Sequence, residues 1–173
     1  RTMQPEPCRE FCESGLISPA RMRAVDANAI ALGVTELQLM ESAGRALADQ
    51  VLAFYPSHVL ILCGKGNNGG DGMVAARYLQ HGVETDLVFL EGGRRSRSCE
   101  HQLAALRHAA VSLHPFACRE DLVALASLFD GADVIVDALL GIGAASGIRE
   151  PFTTGIALAN ASPAKIIAAD VPT

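Results

Sequence analysis

The chain has 173 residues, half of them apolar and 19% charged, with no tryptophan and a formal net charge of -5. That size and apolar content suffice for the core of one ordinary domain without covalent staples, and the acidic balance excludes the clustered positive surface of a nucleic-acid binder. Five cysteines without CxxC spacing fit a reduced, cytoplasmic setting rather than a disulfide framework.

Residues 1–16 contain Pro5 and Pro7 and lack periodicity, which predicts a poorly ordered lead-in to a domain covering 17–173. Cys8 and Cys12 fall short of the four ligands that a zinc site needs. The polar stretch 1–10 has no signal-peptide core, and no run approaches 18 apolar residues, so neither secretion nor membrane spanning is expected. Ser18-Pro19 reads as an N-cap and N1 proline of a helix that puts Met22, Val25, Ala29 and Leu32 on one face and closes at Gly33. A second helix, capped by Thr35, carries Leu39, Met40, Ala43, Leu47 and Val51 at helical spacing and ends before Tyr55-Pro56.

Apolar runs then alternate with helical patterns: strand 58–63, helix 72–81, strand 84–90, helix 99–110, a weaker strand near 110–114, helix 119–129, strand 133–138, helix 152–160 and strand 165–169. Fully apolar strands separated by helices predict right-handed crossovers and a Rossmann-like three-layer αβα fold with a mostly parallel sheet, preceded by two helices. The basic turn at 92–97 reads as a solvated loop.

In an open parallel sheet, ligands bind beyond the carboxyl ends of the strands, where strand order reverses. Polar residues cluster after the first strand (Gly64 to Asp71), the fourth (Asp137 to Gly147) and the fifth (Asp170 to Thr173). A 3-2-1-4-5 order would set these loops side by side, with Glu91 and Pro115 on the far side of the reversal. The loop Gly64-Lys65-Gly66-Asn67-Asn68-Gly69-Gly70-Asp71-Gly72 allows sharp turns and close ligand approach. Its two asparagines and its aspartate exceed what a pyrophosphate wrap requires. Lys65 either neutralises a phosphate or points into water, and Asp71 either faces the ligand or caps the helix at Gly72.

Asp137 closes an apolar strand, so its carboxylate wants a cation, a proton or N–H donors, unless it simply caps its own loop. The loop of Asp170 is either a plain strand-ending turn or part of the same rim. The carboxamide of Asn68, the carboxylate of Asp137 and the hydroxyl of Thr173 make a hard oxygen set with one formal negative charge. That set suits potassium better than magnesium or calcium.

Four ordered motifs resemble the YjeF N-terminal domain family, which contains the NAD(P)H-hydrate epimerases: Leu39-Met40-Glu41-Ser42-Ala43-Gly44, Asn67-Asn68-Gly69-Gly70-Asp71-Gly72, Asp137 with Gly141-Ile142-Gly143 and Gly147, and Asp170-Val171-Pro172-Thr173. The resemblance covers about residues 17–173. It implies interconversion of the R and S forms of NADHX and NADPHX, cofactors damaged by addition of water at C6 of the nicotinamide ring. A dehydratase, fused or separate, acts on one epimer, so the reaction is a repair step. By the same resemblance, Asn67, Asn68, Gly69, Gly70, Asp71, Gly141, Ile142, Gly143, Ala144, Ala145, Ser146, Gly147 and Asp170 would line the substrate. Asn68, Asp137 and Thr173 would hold potassium, with Thr173 standing where the family often has serine. The resemblance also implies a homodimer and a family domain that continues past Thr173, which makes this chain a domain truncated at its C-terminal end.

Epimerisation needs an acid and a base, and Asp170 is the first candidate for both, with Asp71 second. Two other functions compete. Gly64-x-Gly66-x-x-Gly69 with Glu91 matches the dinucleotide fingerprint of a dehydrogenase, although a lone match is weak and leaves Asn67, Asn68 and Asp71 unexplained. A non-catalytic scaffold of similar fold would be expected to lose those polar residues.

Overall fold

The computed structural model describes residues 17–142 and 147–173. The lead-in at 1–16, with Cys8 and Cys12, and Gly143, Ala144, Ala145 and Ser146 lie outside the described residues. The chain divides into two compact units at Glu36 and Leu37. In the first unit, α1 (Pro19–Ala31) starts as its sequence predicts, with Pro19 in the first turn and the Ser18 hydroxyl accepting from the Arg21 amide at 3.4 Å. Gly33 follows in the left-handed region, φ 99°. The expected apolar face is not buried: Met22 and Val25 are exposed and Leu32 is 84% exposed. Arg21, Arg23, Asp26 and Asn28 interleave with these residues and leave no coherent stripe.

α2 (Glu36–Leu52) buries Met40, Gly44, Ala48 and Val51. Ala43, expected inward, is exposed, because the helix turns Gly44 toward its neighbour. A Cβ at Gly44 would stand 2.4 Å from the Cβ of Val74 and 2.6 Å from the Asp71 carbonyl oxygen, so two helix backbones meet there. Glu41, on the same helix, accepts from Arg77 and from the Tyr78 hydroxyl.

The sheet comprises β1 (His58–Cys63), β2 (Glu84–Leu90), β3 (Ser112–Phe116), β4 (Val134–Ala138) and β5 (Lys165–Ala168). Its order is β3-β2-β1-β4-β5, and every pairing is parallel. Strand alternation splits the core in two. Val59, Ile61, Cys63, Val134 and Val136 pack with α2, α3 (Asn67–Leu79) and α4 (Arg97–Leu106). Leu60, Leu62, Val88 and Ile135 pack with α5 (Arg119–Ala124), α6 (Ala126–Gly131) and α7 (Phe152–Ala161). The result is a three-layer α/β Rossmann-like fold.

Further expectations change. The helix expected at 72–81 begins at Asn67, so Asp71 lies in its second turn and does not cap it. The helix expected at 119–129 is two, joined at Leu125 by tight bonds from the Leu125 amide to the Leu122 carbonyl and from the Leu128 amide to the Leu125 carbonyl. β3 starts at Ser112 and contains Pro115, which an end strand tolerates. The basic turn is also less solvated than expected, since Arg95 lies over the Phe89 ring and donates to the Leu90 carbonyl.

Candidate functional site

The loops after β1 and β4 are locked by direct backbone contact. The Gly64 amide donates to the Ala138 carbonyl at 3.0 Å, and a Cβ on Gly64 would fall 1.9 Å from the Leu139 carbonyl oxygen. A Cβ on Gly69 would in turn fall 2.1 Å from the Gly64 carbonyl oxygen. These glycines allow chain to lie on chain; they do not leave an open phosphate cradle. Gly70 and Gly72 are buried beside Met40 and beside Ala138 and Cys63.

This packing delivers Asn68 to the turn after β4. Its Nδ2 donates to the Leu140 carbonyl at 2.7 Å, while its Oδ1 is buried and has no protein partner among the described residues. An orphaned buried carboxamide oxygen costs roughly 1–3 kcal/mol unless a hydrogen-bond donor or a cation reaches it. Asp137 is also buried. Its Oδ1 accepts from the Leu139 amide at 3.2 Å and its Oδ2 from the Thr173 amide at 2.7 Å. The Thr173 hydroxyl accepts from the Leu140 amide at 3.2 Å. The turn at Leu140 therefore ties together Asn68, Asp137 and Thr173, which come from three separated stretches of chain.

Asp170 stands at the same rim with φ 68°, a left-handed conformation that non-glycine residues adopt at a cost. Its Oδ2 accepts from the Ile142 amide at 2.8 Å. A Cβ on Gly141 would lie 2.7 Å from that oxygen and 3.3 Å from the Asn68 Cβ, so Asn68, Gly141 and Asp170 are immediate neighbours. Among the remaining sequence-predicted residues, Asn67 is exposed at the start of α3, Asp71 is half-buried and Gly147 is exposed. Glu91 is exposed beyond the end of β2. Sequence reasoning missed the Leu140 backbone as the hub, because no side-chain pattern reports where a carbonyl points.

A hollow of about 230 Å³ opens beside Asp137 and Thr173, lined further by Leu139, Ile156, Asn160 and Pro172. That is below the roughly 300–1,000 Å³ typical of small-molecule sites, so a larger ligand would lie largely outside it. On the other face of the sheet, burial pushes the Cys63 thiol well above its ordinary range and the Cys99 thiol up to about 11. Both stay protonated and supply no nucleophile. The donor set of the site is all oxygen, with one formal charge from Asp137, and suits a monovalent cation.

A family profile described as YjeF-related protein N-terminus matches residues 36–173. The chain is 46% identical over 163 residues to the bifunctional NAD(P)H-hydrate repair enzyme Nnr of Methanospirillum hungatei, covering 94% of this chain and 34% of that protein. It is 35% identical over 162 residues to the NAD(P)H-hydrate epimerase of Limosilactobacillus fermentum, covering 90% of this chain and 73% of that one. The crystal structure of the yeast protein YNL200c superposes with a TM-score of 0.81 at 26% identity, over 91% of this chain and 70% of that one. The chain thus spans about a third of the length of the bifunctional relatives it matches.

Proposed function

Because the chain belongs to the family of YjeF-related protein N-termini, we propose that it interconverts the R and S forms of hydrated NADH and NADPH, an isomerase step in cofactor repair. The observation that carries the reading is Asp170, held in a left-handed backbone by the Ile142 amide and set against Asn68 and Gly141. Asp170 is exposed, so its carboxyl is open to exchange a proton. In the substrate the C6 hydroxyl shares its carbon with the ring nitrogen. Protonation of that hydroxyl by Asp170 releases water, and the nitrogen lone pair stabilises the cation that remains. Water then adds to the opposite face, and the proton it releases returns through solvent to reset Asp170. Such transfers contribute about 100- to 10,000-fold.

The other rim residues position and select. Asn67, Asn68 and Asp71 on α3, with Gly141 and Ile142 opposite, would line the substrate. Potassium would be held by Asn68, Asp137 and Thr173, and the orphaned Asn68 oxygen supports it; when bound, the ion supplies positive charge that helps an anionic dinucleotide approach an acidic protein. A dehydratase, fused or separate, is the partner suggested by the bifunctional names of the relatives. Homodimerisation and a cytoplasmic location remain part of this proposal, and no helix among the described residues is long and apolar enough to cross a membrane.

The test uses Asp170→Asn, which preserves shape and an acceptor for the Ile142 amide. Purified epimers are mixed with protein and separated chromatographically over time. Exchange at the uncatalysed rate is expected, and near-normal turnover removes Asp170 from the role. Hydride transfer with added NAD and a panel of alcohols would instead favour the dehydrogenase.

A further inference from the structure

The amino-terminal ends of the strands, on the edge of the sheet opposite the rim, carry a second polar constellation. His58 and Glu84 open β1 and β2 and are register partners. Asp86 lies two residues along β2, hence on the same face as Glu84, and is buried. Nε2 of His58 is 2.7 Å from Asp86 Oδ2, and Nε2 of His114, on β3, is 2.6 Å from Asp86 Oδ1. Nδ1 of His58 is 3.0 Å from the carbonyl oxygen of Gly131, at the end of α6. One ligand atom from each of His58, Glu84 and Asp86 lies within 4.8 Å of the other two.

Both ring nitrogens of His58 therefore face acceptors. A carbonyl oxygen only accepts, so Nδ1 carries the hydrogen, and a neutral ring then presents a bare lone pair at Nε2 to a carboxylate oxygen. Two lone pairs at 2.7 Å repel. A positive species must stand between them: a proton at this separation, or a metal ion once the pair opens. The surroundings are those of a metal ligand. An Nδ1–H bonded to a backbone carbonyl fixes the tautomer that frees Nε2 for coordination, and ligating carboxylates are themselves held by a further donor, as His114 holds Asp86.

We propose that His58, Glu84 and Asp86 form a site for a divalent transition-metal ion of the zinc class, with His114 as a positioning residue. One imidazole and two carboxylates favour zinc or cobalt over magnesium and calcium, which take all-oxygen shells. Metal–ligand bonds of about 2.0–2.2 Å put tetrahedral ligands about 3.3–3.6 Å apart. The His58–Asp86 pair opens slightly to meet this, and the exposed Glu84 side chain closes; water completes the shell. Since the site clips β1 to β2 and, through Gly131, to α6, the ion stabilises the fold and takes no part in the rim chemistry.

The test is a titration of the chelator-stripped full chain with zinc chloride, with magnesium chloride as control, read by calorimetry and melting temperature. Cobalt supplies a visible absorption band from a tetrahedral site. One zinc per chain, a melting temperature raised by zinc and not by magnesium, and at least tenfold weaker binding in Glu84→Gln and in His58→Gln are expected. Glu84 is exposed, so its variant folds whatever becomes of the other. His114→Gln should weaken binding roughly 10- to 100-fold and shift the cobalt band, as loss of a carboxylate-orienting partner does. Absence of saturable zinc binding overturns the proposal, as does binding that both ligand variants leave unchanged. In either case a plain imidazolium–carboxylate pair occupies the cluster.

Discussion

Replacing Gly141 with alanine asks whether the rim holds its acid in place. The new Cβ would stand 2.7 Å from Asp170 Oδ2 and 3.3 Å from the Asn68 Cβ. Non-bonded carbon contacts settle near 3.5 Å, so the carboxylate must retreat by about 0.8 Å. Its bond from the Ile142 amide, now 2.8 Å, would lengthen beyond the range in which a hydrogen bond survives. Gly141 is not in the left-handed region, so backbone strain does not confuse the result. Loss of one exposed hydrogen bond costs about 1 kcal/mol, which in a domain of this size lowers Tm by about 2–4 °C. Displacing a reacting group by about 1 Å costs on the order of 100-fold in rate. Activity should therefore fall far more than stability, and in kcat more than KM. The assay is epimer exchange followed by chromatography, beside a thermal melt. Gly82→Ala, where a Cβ meets nothing within 4 Å, is the control and should match the unaltered chain. A folded Gly141→Ala protein within twofold of normal kcat would refute the claim that Asp170 must be placed by this turn.

Potassium chloride should raise the melting temperature above that in sodium chloride at equal ionic strength, by about 2.7 kcal/mol of stability at 100 times Kd; Asn68→Ala should abolish the difference. Alkylation at pH 8 should modify Cys118, which is exposed, and spare the buried Cys63 and Cys99 until the chain is denatured, as read by mass spectrometry of peptides. The amides of Ala117 and Cys118 hold the Asp121 carboxyl below its ordinary 3.8. Its folded pKa is depressed, so the stability it contributes is present above 3.8 and lost as pH falls through the folded value; Asp121→Asn should flatten the acid limb of a Tm-against-pH curve.

The strands were legible because apolar runs bounded by glycine and proline have few readings. β1 and β2 have the expected bounds, 58–63 and 84–90, and the expected strand order holds. Asp137 and Asp170 stood out because acids at or just beyond the end of apolar strands are conspicuous. What was hidden depends on contacts between distant segments. The inward register of α2 follows from Gly44 meeting Val74, and the Leu140 hub follows from a turn conformation that side chains do not encode.

The start of α3 shows how one hidden contact sets the rest. Glycine disfavours helix by about 1 kcal/mol relative to alanine, and four glycines among Gly66, Gly69, Gly70 and Gly72 therefore read as loop. In the fold each of the latter three faces an atom that leaves no room for a Cβ, so close packing against β1, β4 and α2 outweighs the propensity. Helical geometry then separates the two asparagines by about 100° of rotation. Asn67 is left exposed, while Asn68 is driven into the Leu140 turn. Gly66 caps the helix without a side-chain bond, so the first amides and the positive end of the helix remain turned toward the rim. A loop would have kept both asparagines mobile; the helix fixes the Asn68 oxygen in a buried position and leaves Asn67 exposed.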